Sequence, residues 1–152
     1  MLDIKVFLQR HAENRNELED ELRRFELLNG ESYYRSPSDI DGMPHGSGGT
    51  TDSTANSAIR DISLVRKLES LKKLIDEEEA KIESILALLP KANQKTVIRI
   101  KYYQRYEWDD VALFMYGDKR DYAGNSDKYK TKAQKVHGAA LANMRRIQQK
   151  SN

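Results

Sequence analysis

The sequence predicts an all-α protein in which a long heptad-patterned helical arm precedes a C-terminal domain of shorter helices. Three observations favour this fold. Apolar residues recur at spacings of three and four over most of the chain, which is the period of an amphipathic helix. Charged residues make up 33% of the sequence, as is typical of exposed helices. A segment rich in glycine and proline interrupts the pattern and divides the arm into two helices.

The N-terminal element, residues 1–30, is predicted to be helical over residues 2–28, with Asn29 and Gly30 as its stop. One face forms a seam of the kind that packs against another helix. Because His11 interrupts this seam, we expect it to set the register or to lie partly exposed rather than to bind a metal. The seam consists of Ile4, Leu8, His11, Arg15, Leu18, Leu22 and Phe25.

Residues 31–53 are predicted to form an irregular linker, because they contain two of the three prolines and a cluster of glycines. The run at residues 46–49, Gly-Ser-Gly-Gly, lacks the Gly-Lys-Ser/Thr ending of a phosphate loop. This argues against nucleotide binding, and no cofactor is predicted.

A coiled-coil-like helix is predicted over residues 54–89, ending before Pro90. A helix with an apolar seam over so many turns needs a second helix to cover that seam. The partner can be the first helix folded back, the same helix of another subunit, or both, and we favour a homo-oligomer, most simply a dimer. Glu78 alone breaks the apolar seam, which consists of Leu64, Leu68, Leu71, Ile75, Glu78, Ile82, Ile85 and Leu89.

Composition and charge narrow the function. There are no cysteines, the three histidines match no metal-ligand spacing, and no apolar run approaches the roughly 20 residues of a membrane span. Residues 91–152 carry 14 Lys and Arg against 6 Asp and Glu, whereas residues 1–90 carry 12 against 18. This asymmetry suggests that the C-terminal part meets a polyanion. We expect a soluble intracellular protein.

Residues 91–152 have the layout of a helix-turn-helix DNA-binding domain. A short helix is expected over residues 95–104, a second over 108–116, and a long basic helix from about 127 to 149 after a polar loop. Apolar side chains of the first two helices are expected to form a small core. They are Val97, Ile98, Tyr102, Tyr103, Trp108, Val111, Leu113 and Phe114.

The last helix is predicted to place one apolar face on this core and to turn a polar face towards DNA. At about 100° per residue, Tyr129, Ala133, Val136, Ala140, Met144 and Ile147 share the apolar face. Lys and Gln can hydrogen-bond base edges, and further basic residues neutralise phosphates. The predicted DNA-binding residues are Lys128, Lys130, Thr131, Lys132, Gln134, Lys135, Arg145 and, before the second helix, Arg105.

No catalytic constellation emerges, and an enzyme is not predicted. Five aspartates of the C-terminal part could imitate a metal-dependent nuclease site, but their spacing is arbitrary and most lie at turns or helix starts. They are Asp109, Asp110, Asp118, Asp121 and Asp127.

Three motifs together resemble a known family. KTVIRIKYY (residues 95–103), WDDVA (108–112) and QKVHGAAL (134–141) resemble the sigma-70 region-4-like helix-turn-helix of ArpU and RinA type transcriptional regulators from phages of Gram-positive bacteria. The loop and heptad helix before them resemble the upstream half of that group, so the resemblance covers most of the chain. Residues 117–126 depart from it, because they are longer than the tight turn of sigma region 4.

The resemblance implies a sequence-specific DNA-binding regulator that activates late phage genes in the cytoplasm of the bacterial host. Its partners would be double-stranded promoter DNA, further copies of the chain and host RNA polymerase. The last helix would enter the major groove through Lys128, Thr131, Gln134 and Lys135. Two alternatives stay open: a DNA-packaging component resembling a small terminase subunit, and a helical interaction protein that does not bind DNA.

Overall fold

The computed structural model describes residues 3–33 and 52–151, and their side chains except those of residues 29–33 and 52–61. These ranges contain no strand, so the all-α prediction is confirmed for them. No helix within them is both long and apolar enough to cross a membrane. The five α-helices are α1 (Ile4–Tyr33), α2 (Asp52–Ala87), α3 (Ala92–Ile98), α4 (Trp108–Tyr116) and α5 (Ser126–Ser151), and a π-helical segment, Arg99–Tyr103, continues α3.

Helices α1 and α2 pair within one chain, so the first helix folded back is one partner of the second. The chain divides into two compact units. The head unit comprises Met1–Asn14 and Ile75–Asn152, and the arm unit comprises Arg15–Leu74. The predicted DNA-binding domain, residues 91–152, is therefore only part of the head unit.

The arm unit is held by ion pairs and by half-buried seam residues. The Lys67 ammonium lies 2.8 Å from a carboxylate oxygen of Glu21 and 3.3 Å from one of Glu17. Its hydrogen bond lowers the pKa of the Glu21 carboxyl below the ordinary value. Leu18, predicted to lie in the seam, is only half-buried, and Leu22 is 41% exposed. Two helices cannot enclose their own seam, because each covers only one side of the other.

The head unit contains a continuous hydrophobic core. Side chains from the start of α1 and the end of α2 join those of α3, α4 and α5 in one cluster. Fully buried members include Ile4, Leu8, Ile82, Leu86, Val97, Ile98, Val111 and Met144. The ends of the two long helices thus complete the core that the sequence assigned to the C-terminal helices alone.

Several predicted helix boundaries are wrong. Helix α1 continues through Asn29 and Gly30 to Tyr33, because a helical glycine costs only about 1 kcal/mol and does not force an end. Helix α2 begins at Asp52, so both ends of the predicted linker are helical. The rest of the linker lies outside the described residues. Helix α3 begins at Ala92, before the predicted start at residue 95, and Lys91 is its N-cap.

Two of the residues that interrupt the apolar seams, His11 and Glu78, meet each other in the head unit. Both are buried, and His11 Nδ1 lies 3.4 Å from Glu78 Oε2. The same oxygen accepts a hydrogen bond of 3.0 Å from the Asn14 amide, and Arg10 lies 3.2 Å from Oε1. A polar pair within two apolar seams favours the one register that brings its members together.

Two residues predicted to lie in the core are on the surface. Leu113 is 54% exposed and Phe114 is 59% exposed, whereas Val111, Ala112 and Tyr116 are buried. Helix α4 has nine residues and is apolar on almost every side after its acidic first turn. Its periodicity therefore could not show which apolar residues face inward.

Candidate nucleic-acid interface

Helix α5 has one buried face and one exposed face, as predicted. Tyr129, Ala133, Ala140 and Met144 are buried, and Val136 and Ile147 pack against the same core, so the predicted apolar face is confirmed. Residues 128, 131, 134, 135 and 138 are all exposed on the other side. We call Lys128, Thr131, Gln134 and Lys135 the outer face of α5.

Two other predicted DNA-binding lysines, Lys130 and Lys132, are engaged with α4. The Lys130 ammonium lies 3.0 Å from a carboxylate oxygen of Asp109. The Lys132 ammonium lies 5.0 Å from the centre of the Tyr116 ring, within range of a cation–π interaction. These lysines flank the outer face, and part of their role is to hold α5 against α4.

Two predicted arginines lie elsewhere in the head unit. Arg145 is 3.4 Å from an Asp3 carboxylate oxygen, ahead of α1. It is ten positions beyond Lys135, or about 15 Å along the helix. Arg105 lies in the turn before α4 with a φ of 58°, the left-handed region that side chains other than glycine seldom adopt. Neither is a member of the outer face.

The loop between α4 and α5, residues 117–125, is organised around Tyr129. The Tyr129 hydroxyl donates a 2.7 Å hydrogen bond to Asp121, which lowers the pKa of that carboxyl below its ordinary value. The Tyr129 ring centre lies 5.2 Å from that of Tyr116 and 5.6 Å from that of Tyr122. These contacts connect the loop to both helices, and α5 begins at Ser126.

An aromatic cluster that the sequence did not predict anchors the middle of α5. His137 Nε2 lies 3.0 Å from the Tyr102 hydroxyl, and the Trp108 ring packs edge-on at 5.1 Å between centres. Burial, with the nearby charges of Lys5 and Lys101, lowers the pKa of His137 to about 4. The imidazole is therefore neutral at pH 7. The sequence did contain an indication of this contact. His137 lies four residues from both Ala133 and Leu141, which places it beside the apolar face of α5.

Acidic and basic side chains both lie near the outer face of α5. Among the residues that the structure describes, no group of three or more His, Cys, Asp or Glu side chains could hold a metal ion. Asp109 pairs with Lys130, and Asp121 accepts from Tyr129, so two of the five aspartates have structural partners. No hydrogen bond or ion pair is found for Gln134 or Lys135 among the described residues, which leaves both side chains available to a ligand.

Comparisons with protein-family models, with curated proteins and with solved structures gave no match. The resemblance to phage transcriptional regulators therefore stays a prediction.

Proposed function

We propose that this protein is a sequence-specific, DNA-binding transcriptional regulator that activates late genes of a phage of Gram-positive bacteria. The observation that carries the proposal is the outer face of α5. This face presents Lys128, Thr131, Gln134 and Lys135 to solvent on a helix whose opposite side is anchored in the core. Lys and Gln can bond base edges, Thr can contact a thymine methyl, and lysines neutralise phosphates.

In this proposal α4, the loop and α5 act as a helix-turn-helix, with α5 as the recognition helix. The N-terminal residues of a recognition helix contact the bases, and the outer face lies within the first three turns of this 26-residue helix. The contacts of Lys130 with Asp109 and of Lys132 with Tyr116 support the proposal, because they hold the first turns of α5 in place in the absence of DNA. A rigid, preformed face loses less conformational entropy on binding.

Oligomerisation through the arm unit forms part of the same proposal. Within the arm side chains that the structure describes, Glu21, at 7% exposure, is the only buried one. The seam leucines Leu64, Leu68 and Leu71 are half-buried, and Ile62 is 54% exposed. A second copy of the arm would cover these side chains and present two α5 helices to two half-sites related by symmetry.

The first experiment is a selection of bound DNA fragments. The purified full chain is mixed with sheared DNA from the genome that encodes it, at about 150 mM salt, where non-specific binding is weak. We expect one or a few fragments upstream of late genes. Enrichment at a packaging start site would instead favour a terminase-like component, and uniform or absent recovery would contradict sequence-specific binding.

The second experiment tests the outer face on the fragment recovered. We expect Gln134→Ala and Lys135→Ala each to weaken specific binding by roughly 1–3 kcal/mol when the side chain contacts a base. Lys73→Ala is the matched control, because Lys73 is an exposed lysine of the arm and its loss changes the charge equally. Unchanged affinity in both α5 variants, with folding intact by circular dichroism, would contradict the proposed face.

Mass in solution tests the oligomeric part separately. A dimer agrees with the regulator, whereas a ring of many subunits favours the packaging alternative. Leu64→Asp, on the half-buried seam, should shift a dimer towards monomer, because a charge there would be desolvated in the interface. A monomeric wild-type chain that still bound its site tightly would contradict the oligomeric part alone.

A further inference from the structure

Helix α4 carries an exposed apolar patch on the side away from the core. Leu113 is 54% exposed, Phe114 is 59% exposed, and Tyr106, in the preceding turn, is 39% exposed. Together with Asp110 these residues line one shallow pocket in the head unit. We call these four residues the α4 patch.

The exposed apolar side chains of the α4 patch do not contribute to the core of the head unit. The buried face of α4 is supplied by Val111, Ala112 and Tyr116, with Trp108 and Met115 partly buried against the same core. Leu113 and Phe114 instead face solvent. A single exposed apolar residue is ordinary on a protein surface, but a contiguous group rimmed by polar residues marks an interaction site. An aromatic ring and a leucine side by side also form a suitable anchor site, since such side chains dominate binding energies.

The charges around the patch indicate what it binds. Three acidic side chains, Glu107, Asp109 and Asp110, lie in or next to the first turn of α4. Asp109 is paired with Lys130, and Glu107 is 3.9 Å from Lys101, while Asp110 has no ion pair among the described residues. Asp110, which lines the pocket, is therefore the one of these three carboxylates without a cationic partner among the described residues. The carboxylate of Asp110 repels a phosphate group and attracts a Lys or Arg side chain of a partner.

We propose that the α4 patch is a docking site for a protein segment with an apolar anchor side chain flanked by Lys or Arg. Leu113 and Phe114 contact the anchor, and Asp110 accepts a hydrogen bond from the flanking cation. The proposal goes beyond DNA binding, since it assigns a protein partner to a different helix. It does not depend on α5 contacting DNA.

The test uses a displayed library of random peptides and the purified full chain. Binders to the wild type are enriched over successive rounds, synthesised, and measured by fluorescence anisotropy against the wild type and against Phe114→Ser. We expect enriched sequences that share one apolar residue with Lys or Arg beside it. Because Phe114 is mostly exposed, the Phe114→Ser chain should fold normally, and it should bind the peptides at least about tenfold more weakly.

Two further variants define the site. Asp110→Asn keeps the shape of the side chain and should weaken binding of the Lys- and Arg-flanked peptides by several-fold, with the loss shrinking at high salt. Val6→Ser is the matched control: Val6 is 57% exposed, lies in the same unit, and is not part of the patch. Its peptide affinity should equal that of the wild type.

Several results would overturn the proposal. They are a selection without enrichment, enriched peptides flanked by acidic residues, or peptides that bind Phe114→Ser as well as wild type. Self-association of the chain that Phe114→Ser abolishes would make a second copy the occupant instead. Loss of DNA affinity in Phe114→Ser would assign the patch to the DNA interface, whereas failure of the Lys135 variants alone would leave this proposal standing.

Discussion

Replacing His11 and Glu78 by leucine, singly and together, tests whether the buried polar pair acts as a unit. Glu78→Leu removes the carboxylate 3.4 Å from the His11 ring, whose two nitrogens have no hydrogen bond within the described residues. It also removes the acceptor of the 3.0 Å bond from Asn14. Leaving a buried polar group without its partner costs about 1–3 kcal/mol, and both the His11 ring and the Asn14 amide lose theirs. We expect a loss of that size in the free energy of unfolding.

His11→Leu should cost less, about 1–2 kcal/mol, because the Glu78 carboxylate keeps its contacts with Asn14 and Arg10. The double variant places two leucines against each other in the seam, and replacing a buried polar pair by apolar residues is often neutral or stabilising. We therefore expect the double variant to lie within about 1 kcal/mol of the wild type. Its loss should be smaller than that of Glu78→Leu alone.

The assay is urea unfolding followed by circular dichroism at pH 7, analysed as a double-mutant cycle with unchanged m-values. The control cycle uses Asp20→Ala and Arg23→Ala, an ion pair of 3.8 Å in which both side chains are more than half exposed. That cycle should show a coupling below about 0.5 kcal/mol. Additive losses in the His11 and Glu78 cycle would refute the inference that the two residues specify the pairing of α1 with α2.

Three further predictions concern the head unit. The pKa of His137 is about 4 when folded and 6.5 when unfolded, so the unfolded chain binds more protons between these values. The free energy of unfolding should fall by up to about 1.4 kcal/mol per pH unit as the pH drops from 6.5 towards 4. A histidine NMR titration showing the folded ring protonated at pH 5.5 would contradict this. Gly138→Ala should raise the free energy of unfolding by roughly 0.5–1 kcal/mol, because alanine favours a helix and an added Cβ meets no atom within 4 Å. Gly117→Ala should lower the free energy of unfolding, because its Cβ would overlap the Leu113 carbonyl oxygen. Equal effects of the two glycine variants in a melting experiment would contradict both. Replacing Arg105 by valine should lower the melting temperature more than replacing it by asparagine, since asparagine tolerates the left-handed conformation at a φ of 58° better than a β-branched residue does. Equal melting temperatures of the two variants would contradict this.

Regular periodicity made parts of the candidate site predictable. The apolar face of α5 follows a pattern spread over a 26-residue helix, and its buried members Ala133, Ala140 and Met144 agree with that pattern. The outer face then follows from geometry alone. His137 and the loop around Tyr129 were not predictable, because their partners come from distant positions in the chain.

Short or uniformly apolar segments left the sequence ambiguous. In α4, residues 111–116 are all apolar, so no spacing distinguished the buried Val111 from the exposed Leu113. Glycine was also a poor guide to the end of α1, because its effect on a helix is an energy of about 1 kcal/mol that neighbouring residues can offset.

The sequence by itself determined the helical class, the heptad stripes of the two long helices and the division of α5 into a buried and an exposed face. These properties depend on side chains within a few turns of one another, and a 3.6-residue period records them directly. Only the tertiary structure decided that α1 pairs with α2 of the same chain, that His11 meets Glu78, and that Leu113 and Phe114 face solvent. These outcomes depend on which surfaces meet across long stretches of chain, and that choice is made by the packing of the whole core.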